Sequence, residues 1–218
     1  MAFFFSWLRR QIWRQNTMAC LNDRQSSAER VAESNRELTR ISRRINGAEL
    51  QNTERLRPSD LQCMAELIQL YNHIEFNLRR CVEIFTHAGM IEPSNKKTPM
   101  GGLSRVALTG IRQLEDGDFW EARLTEIELH RDMRNLFAHW AARRITDEDA
   151  YLILTKNPQE SNRRLGRPID LNHSTHGIVL VKDLKWLVSH ISHYDKLLAE
   201  ATSEWHKRYA PTTTFTSL

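Results

Sequence analysis

Three side chains near the end of a long amphipathic segment are of types that suit phosphodiester chemistry. Arg134 and Asn135 are adjacent, and His139 follows five residues after the arginine. A histidine can take or give a proton near neutral pH, and an arginine can hold the negative charge of a phosphorane. An asparagine can orient the imidazole or contact the phosphate. These three are the candidate catalytic residues for RNA cleavage, and Arg131 and Arg143 are the candidate substrate-binding residues.

The spacing by itself is a weak signal. The chain has 24 arginines and 9 histidines in 218 residues, so chance gives about one arginine with a histidine five residues later. The pairs Arg80 with His87 and Arg123 with His130 have six intervening residues, and we interpret them as accidental. The adjacent asparagine, the small residue before His139 and the position at a helix end distinguish the motif from these pairs.

The motif lies on a predicted helix over residues 119–144, which Asp118 can cap. The apolar side chains of its second half share one face (Leu129, Met133, Leu136, Phe137 and Trp140). At about 100° per residue, Arg134 and His139 are about 140° apart around this helix. Either the long arginine wraps around the helix, or two copies of the helix pack across a twofold axis and pool their side chains. We expect the second arrangement, with the site formed across a homodimer.

Three further helices are predicted around this one. Residues 61–85 keep apolar steps of three and four over some 25 positions, and a shorter helix begins near Leu103. A final helix follows a capping residue, Asp183. Helices with connections rich in Gly and Pro predict a mainly α fold, an antiparallel four-helix bundle. Two short β-branched runs predict a small β-hairpin insert near 150–181.

The N-terminal 57 residues differ from the rest in charge. They hold 11 arginines and 6 acids, whereas residues 58–218 hold 20 basic and 21 acidic residues. Apolar residues between 31 and 48 form one narrow seam, which predicts an N-terminal helical arm that either mediates dimerisation or lies against the rest of the domain. We therefore predict three regions: a basic helical arm (1–57), a helical bundle (58–208) and a disordered tail (209–218). Residues 3–16 combine aromatics with arginines, so they either contact a membrane or dock on the body or a second subunit.

The cysteine and histidine patterns predict no metal site and no cofactor. Cys20, Cys63 and Cys81 are widely spaced without a CxxC motif, and no HExxH motif is present. His173 and His176 lie in a predicted loop with no nearby cysteine or paired carboxylate. No apolar run approaches the length of about 20 residues needed to span a bilayer, and the start is not that of a secretory signal. We therefore expect a cytoplasmic protein.

The motif and its helical setting resemble the HEPN superfamily, small helical-bundle proteins of bacterial toxin and antiphage systems. The family pattern is Arg, four to six residues, then His, often with Asn after the Arg. Arg134, Asn135 and His139 match its four-residue version. The resemblance implies a metal-independent endoribonuclease, active as a homodimer on an RNA substrate, with His139 and Arg134 catalytic and Asn135 supportive. An antitoxin or regulatory protein is an implied partner, but Ala141 stands where some HEPN toxins carry a tyrosine modified by their antitoxin.

A second interpretation belongs to another functional class. Some HEPN proteins cleave nothing and serve as scaffolds, so the chain would then be a non-catalytic helical interaction or dimerisation protein. Its N-terminus would provide the association with a membrane. The position of the His139 side chain distinguishes the two interpretations, because a catalytic histidine cannot be buried against its own core.

Overall fold

A computed structural model describes residues 21–45, 51–93, 100–155 and 175–209. The helices are α1 (Leu21–Ile45), α2 (Pro58–His87), α3 (Met100–Ile111), α4 (Gly117–His139) and α5 (Val181–Tyr209), and the strands are β1 (Thr53–Glu54), β2 (Ala141–Ile145), β3 (Ala150–Thr155) and β4 (Thr175–Leu180). The protein is mainly helical with a small antiparallel sheet. The predicted membrane segment 3–16 and the tail beyond Tyr209 lie outside the described residues. No described helix is long and apolar enough to cross a membrane.

The described residues form two compact units. One, the sheet unit, comprises the residues up to Ala65 together with Asp132–Leu187. The other, the helical unit, comprises Glu66–Arg131 and the residues from Val188 onward. The candidate catalytic residues belong to the sheet unit.

The sheet has four antiparallel strands in the order β1-β2-β3-β4. The predicted hairpin is present, because Ala150 pairs with Leu180 and Ile153 with Gly177 in the β3–β4 register. The prediction of a hairpin alone was wrong, since β2 and β1 extend the sheet on the other side of β3. A tight turn joins β2 to β3, and its Asp147 adopts a positive φ of 60°, a backbone conformation that aspartate tolerates better than most residues.

Helix α4 is shorter than predicted. The sequence predicted helix as far as Arg144, but α4 ends at His139 and Ala141–Ile145 is strand β2. Alanine and arginine favour helix, so the local pattern indicated continuation. Pairing of β2 with β3 overrides this preference: Ala142 lies opposite Ile153 and Arg144 opposite Tyr151. Of the predicted site residues, Arg143 therefore lies on a strand.

Helix α1 covers one face of the sheet. Its apolar seam is buried in a cluster with side chains of β2, β3 and β4 (Leu38, Ile41, Ile45, Ile145, Ala150, Leu152, Ile178 and Leu180). At about 25 cal/mol per Å² of apolar surface, such burial is the main contribution to holding α1 in place. Of the two interpretations of this seam, the structure shows the helix lying against its own chain.

The helical unit has an aromatic core. Phe85 and Trp120 both contact Trp205, with ring centroids 5.3 and 5.4 Å apart. The buried Tyr71 hydroxyl donates a hydrogen bond to the carbonyl of Ile127 at 2.8 Å, which satisfies its polar group without water. Gly110 lies so close to Phe85 that an added Cβ would be 2.7 Å from the ring, so this position has no room for a side chain.

Candidate active site

The end of α4 exposes His139 and anchors the residues around it. Leu136 and Trp140 are buried, whereas Ala138 and His139 are exposed. The Trp140 N–H donates to the Leu136 carbonyl at 2.8 Å and closes the last turn, and β2 begins immediately afterwards. Buried residues on both sides of the histidine fix its backbone, so its imidazole is presented to solvent from a rigid position.

Arg134 and Asn135 form a pair one turn before the helix end. Both are half-buried, and Arg134 Nη1 donates to Asn135 Oδ1 at 3.2 Å. The asparagine therefore contacts the arginine, whereas the sequence left open whether it would orient the imidazole or the phosphate. The guanidinium of Arg134 has five donors, and Asn135 accepts from one of them.

The helix geometry separates His139 from the Arg134–Asn135 pair. Five residues correspond to an advance of about 7.5 Å along the axis and a rotation of about 140°. The structure thus brings Arg134 and Asn135 together, and it places His139 further along the helix in a different direction.

The two candidate substrate-binding arginines are engaged in other contacts. Arg131 forms an ion pair with Glu128, one turn earlier in α4, at 2.9 Å. Arg143 lies on β2, where its Nε donates to Thr53 Oγ1 at 2.8 Å. The prediction that Arg143 follows the motif on the same helix was wrong, because the helix ends four residues before it.

A buried ion-pair cluster lies just beyond the site, and the sequence did not predict it. Arg144 is 4% exposed and Asp60 is 3% exposed. Arg144 Nη1 and the Tyr151 hydroxyl both donate to Asp60 Oδ1 at 2.9 Å. Arg144 also pairs with Asp149. Since Arg144 lies on β2 and Asp60 in the first turn of α2, the cluster ties the strand that follows His139 to another helix.

Asp60 is ionised in this cluster for a clear reason. Burial alone would raise the pKa of its carboxyl group. The Arg57 N–H, which donates to Asp60 Oδ2 at 2.8 Å, the Tyr151 hydroxyl and Arg144 outweigh burial, so the pKa of Asp60 is lowered. Burial and the neighbouring Asp60 raise the pKa of Tyr151, which keeps that hydroxyl protonated as a donor.

A second group of titratable side chains lies in the helical unit. We name Glu126, His130, His190 and Tyr194 the His130 cluster. The Tyr194 hydroxyl donates to Glu126, and His190 Nε2 lies 3.7 Å from Glu126 Oε2. The rings of His130 and His190 are 5.9 Å apart and nearly perpendicular. In the sequence His130 stood out only through its spacing from Arg123, which we interpreted as accidental. The cluster was not predicted because its members on α5 are 60 residues or more away.

His130 is held in its neutral form. Burial lowers the pKa of His130 most, the nearby His190 lowers it further, and Glu126 raises it. The net result is a pKa of about 4 for His130, compared with an ordinary value of 6.5. A buried imidazole that is neutral when folded must become charged when the protein unfolds below pH 6.5.

Acid is therefore expected to destabilise the protein through His130. Neutral His130 contributes about 3 kcal/mol to the free energy of unfolding. This contribution is fully present above the unfolded pKa and is lost as the pH falls from about 6.5 toward 4. Urea unfolding across this range should show a steeper loss in wild type than in His130→Phe, which cannot titrate. The exposed His206 provides the control, and an equal effect of His206→Phe and His130→Phe would disprove the assignment.

Among the described residues, no group of three or more His, Cys, Asp or Glu side chains could hold a metal ion. Of the two histidines considered for a metal site, His173 and the side chain of His176 lie outside that part of the chain. In comparisons with known proteins, no protein-family model, no curated protein and no solved structure matches this chain.

Proposed function

We propose that the protein is a metal-independent endoribonuclease of a bacterial toxin or antiphage defence system. In this proposal it is a HEPN-like protein with an antiparallel four-helix bundle, and His139 and Arg134 are its catalytic residues. The observation that carries the proposal is the exposure of His139 at the end of α4, one turn after the paired Arg134 and Asn135. An exposed histidine on a fixed backbone meets the first requirement of a general acid or base, which is access to substrate.

The proposed reaction is an internal transesterification of RNA. The 2′-oxygen attacks the adjacent phosphorus, the bond from phosphorus to the 5′-oxygen breaks, and the product is a 2′,3′-cyclic phosphate. His139 takes the proton from the 2′-hydroxyl or gives one to the departing 5′-oxygen. Arg134 donates hydrogen bonds to the phosphorane oxygens, which carry more negative charge than in the ground state. Asn135 holds the guanidinium in position.

The site is proposed to close across a homodimer. On one helix His139 and Arg134 point in directions about 140° apart, so they do not converge on one phosphate. The exposed Ala138 is small enough to let two copies of α4 approach closely at a twofold axis. His139 of one copy would then face Arg134 of the other, and the twofold symmetry would repeat this contact at a second site.

Mixing two inactive variants tests both parts of the proposal. Arg134→Ala and His139→Ala are each expected to be inactive toward single-stranded RNA in EDTA, where wild type produces 2′,3′-cyclic phosphate ends. Protein purified from cells that express both variants contains mixed dimers with one intact site. The whole preparation is expected to recover about one quarter of the wild-type rate, because half of the dimers are mixed and half of their sites are intact.

Other results of this experiment are equally decisive. Wild type that cleaves no RNA in EDTA contradicts the ribonuclease proposal and favours the non-catalytic interaction protein. Two inactive variants that stay inactive when mixed show that each site is contained within one chain, which contradicts the dimeric site. Different affinity tags on the two variants, with recovery of one tag on the resin for the other, confirm that the mixed dimers are present.

A further inference from the structure

We propose that the exposed side of α1 binds the single-stranded RNA substrate upstream or downstream of the cleaved phosphate. We name this surface the arginine face, and it consists of Arg36, Arg40, Arg43 and Arg44. The inference rests on the proposed ribonuclease function and adds the surface that holds the substrate.

Helical spacing places the four arginines together. At about 100° per residue they fall within about 100° of one another, and all four are exposed. Leu38, Ile41 and Ile45 occupy the opposite side of the helix and are buried against the sheet. The sheet therefore holds α1 in one rotational position, with its arginines directed away from the face of the sheet that it covers.

The charge of the arginine face is only partly compensated. Glu148 pairs with Arg40 at 2.6 Å and with Arg44 at 2.8 Å. The pKa of Glu148 is lowered mainly by its hydrogen bond with Arg40, so the carboxylate is ionised. Neither Arg36 nor Arg43 forms an ion pair with a residue that the structure describes. Counted together with Glu33, Glu37 and their partner Lys182, five cations and three carboxylates leave a surplus of positive charge on this surface.

Two of the arginines are also held in place. Arg44 Nη2 donates to the Thr146 carbonyl at 2.5 Å, and Arg40 binds both oxygens of Glu148. Two acids of α1 are paired with a cation outside the arginine face, because Lys182 lies 2.8 Å from Glu37 and 3.4 Å from Glu33. A preorganised guanidinium loses less side-chain entropy when it binds a phosphate.

The chemistry of the face favours RNA over a membrane surface. An interfacial helix inserts an exposed apolar side between lipid headgroups, but the apolar side of α1 is already covered by the sheet. What remains exposed is a row of planar cations that match phosphate oxygens. A charged row without apolar neighbours binds a flexible polyanion along its backbone.

Strand β2 connects the arginine face to the catalytic histidine. Arg40 and Arg44 contact the turn after β2, at Thr146 and Glu148, and His139 precedes the start of the strand. The five residues of β2 span about 16 Å, which corresponds to about five nucleotides of a stacked strand. A substrate of about three nucleotides would thus reach His139 without reaching the arginine face.

Charge reversal provides the test. In a His139→Ala background, which prevents cleavage, Arg36→Glu with Arg43→Glu is compared with Arg105→Glu and Arg208→Glu. The control pair also replaces exposed helical arginines and changes the net charge equally. Fluorescence anisotropy with labelled single-stranded RNA of about 20 nucleotides should show affinity at least tenfold weaker for the first pair. The dependence of log affinity on log salt should be shallower by about 1.4, because two fewer phosphates are neutralised by the protein.

Several results would overturn the inference. These are equal losses for both pairs, tighter binding of anionic lipid vesicles than of RNA, and an equal loss of affinity for RNA of about three nucleotides. Arg36→Gln with Arg43→Gln, monitored by circular dichroism, separates a loss of binding from a loss of folding. Failure of the proposed function looks different: wild type then cleaves no RNA, whereas binding through the arginine face is unchanged.

Discussion

Replacement of His139 with alanine is expected to lower the rate of RNA cleavage by about 10²- to 10⁴-fold, the range that a general acid or base contributes. The imidazole is exposed at the end of α4, so its removal leaves no cavity and should change the free energy of unfolding by less than about 0.5 kcal/mol. Initial rates on labelled single-stranded RNA in EDTA measure the first effect. Urea unfolding measures the second.

A matched control exists within the same chain. His206 is also an exposed histidine near the end of a long helix, α5. His206→Ala should keep the wild-type rate within about twofold, since an exposed residue outside the site contributes no transition-state contact. A His139→Ala rate within about tenfold of wild type would remove His139 from the catalytic residues. A large loss of stability in the same variant would show that the side chain has a structural role.

Periodicity was sufficient to predict the long helices and two of the strands. Helix α2 extends from Pro58 to His87 because apolar side chains recur at steps of three and four over its whole length. The pairing of β3 with β4 was predictable from two β-branched runs separated by polar residues rich in Gly and Pro. Both signals are local, since each depends on neighbours along the chain.

The end of α4 could not be predicted in the same way. The residues after His139 include two alanines and two arginines, which favour helix by intrinsic propensity. Their conversion to a strand depends on Asp60, which is 84 positions away from Arg144, and on hydrogen bonding to β3. Interactions at such separations leave no periodic trace in the sequence, so the helix boundary and the environment of Arg143 were missed together.

The candidate site was predictable as a set of residue types but not as a geometry. The sequence identified Arg134, Asn135 and His139, and the structure adds that Asn135 contacts the arginine. The arginine face was hidden because the seam of α1 admitted two interpretations until the sheet was seen to cover it. The excess of arginine in the first 57 residues was apparent from the sequence, but which side of α1 the sheet covers was not.

The largest expected effect on stability comes from Asp60. Asp60→Ala should lower the free energy of unfolding by about 3–5 kcal/mol, the usual result of breaking a buried ion pair from one side. The substitution removes the acceptor of the buried Tyr151 hydroxyl and the most buried partner of Arg144. The remaining partners of Arg144, Asp149 and Glu54, have side chains 79% and 41% exposed, so water weakens their attraction for the guanidinium.

The ion pair between Asp60 and Arg144 also makes the free energy of unfolding depend on pH. The pKa of Asp60 is lowered in the folded protein, so its contribution is present above the unfolded pKa of about 3.8 and is lost as the pH falls through the lower folded value. The difference in urea unfolding free energy between wild type and Asp60→Ala should therefore be constant near neutral pH and shrink in strong acid. Asp118, an exposed acid in the first turn of α4, is the control, because Asp118→Ala removes only a helix-end contact of about 1 kcal/mol. Equal losses of unfolding free energy in the two variants near neutral pH would mean that water, and not Asp60, compensates the charge of Arg144. Other contacts would then have to hold β2 in its position after His139.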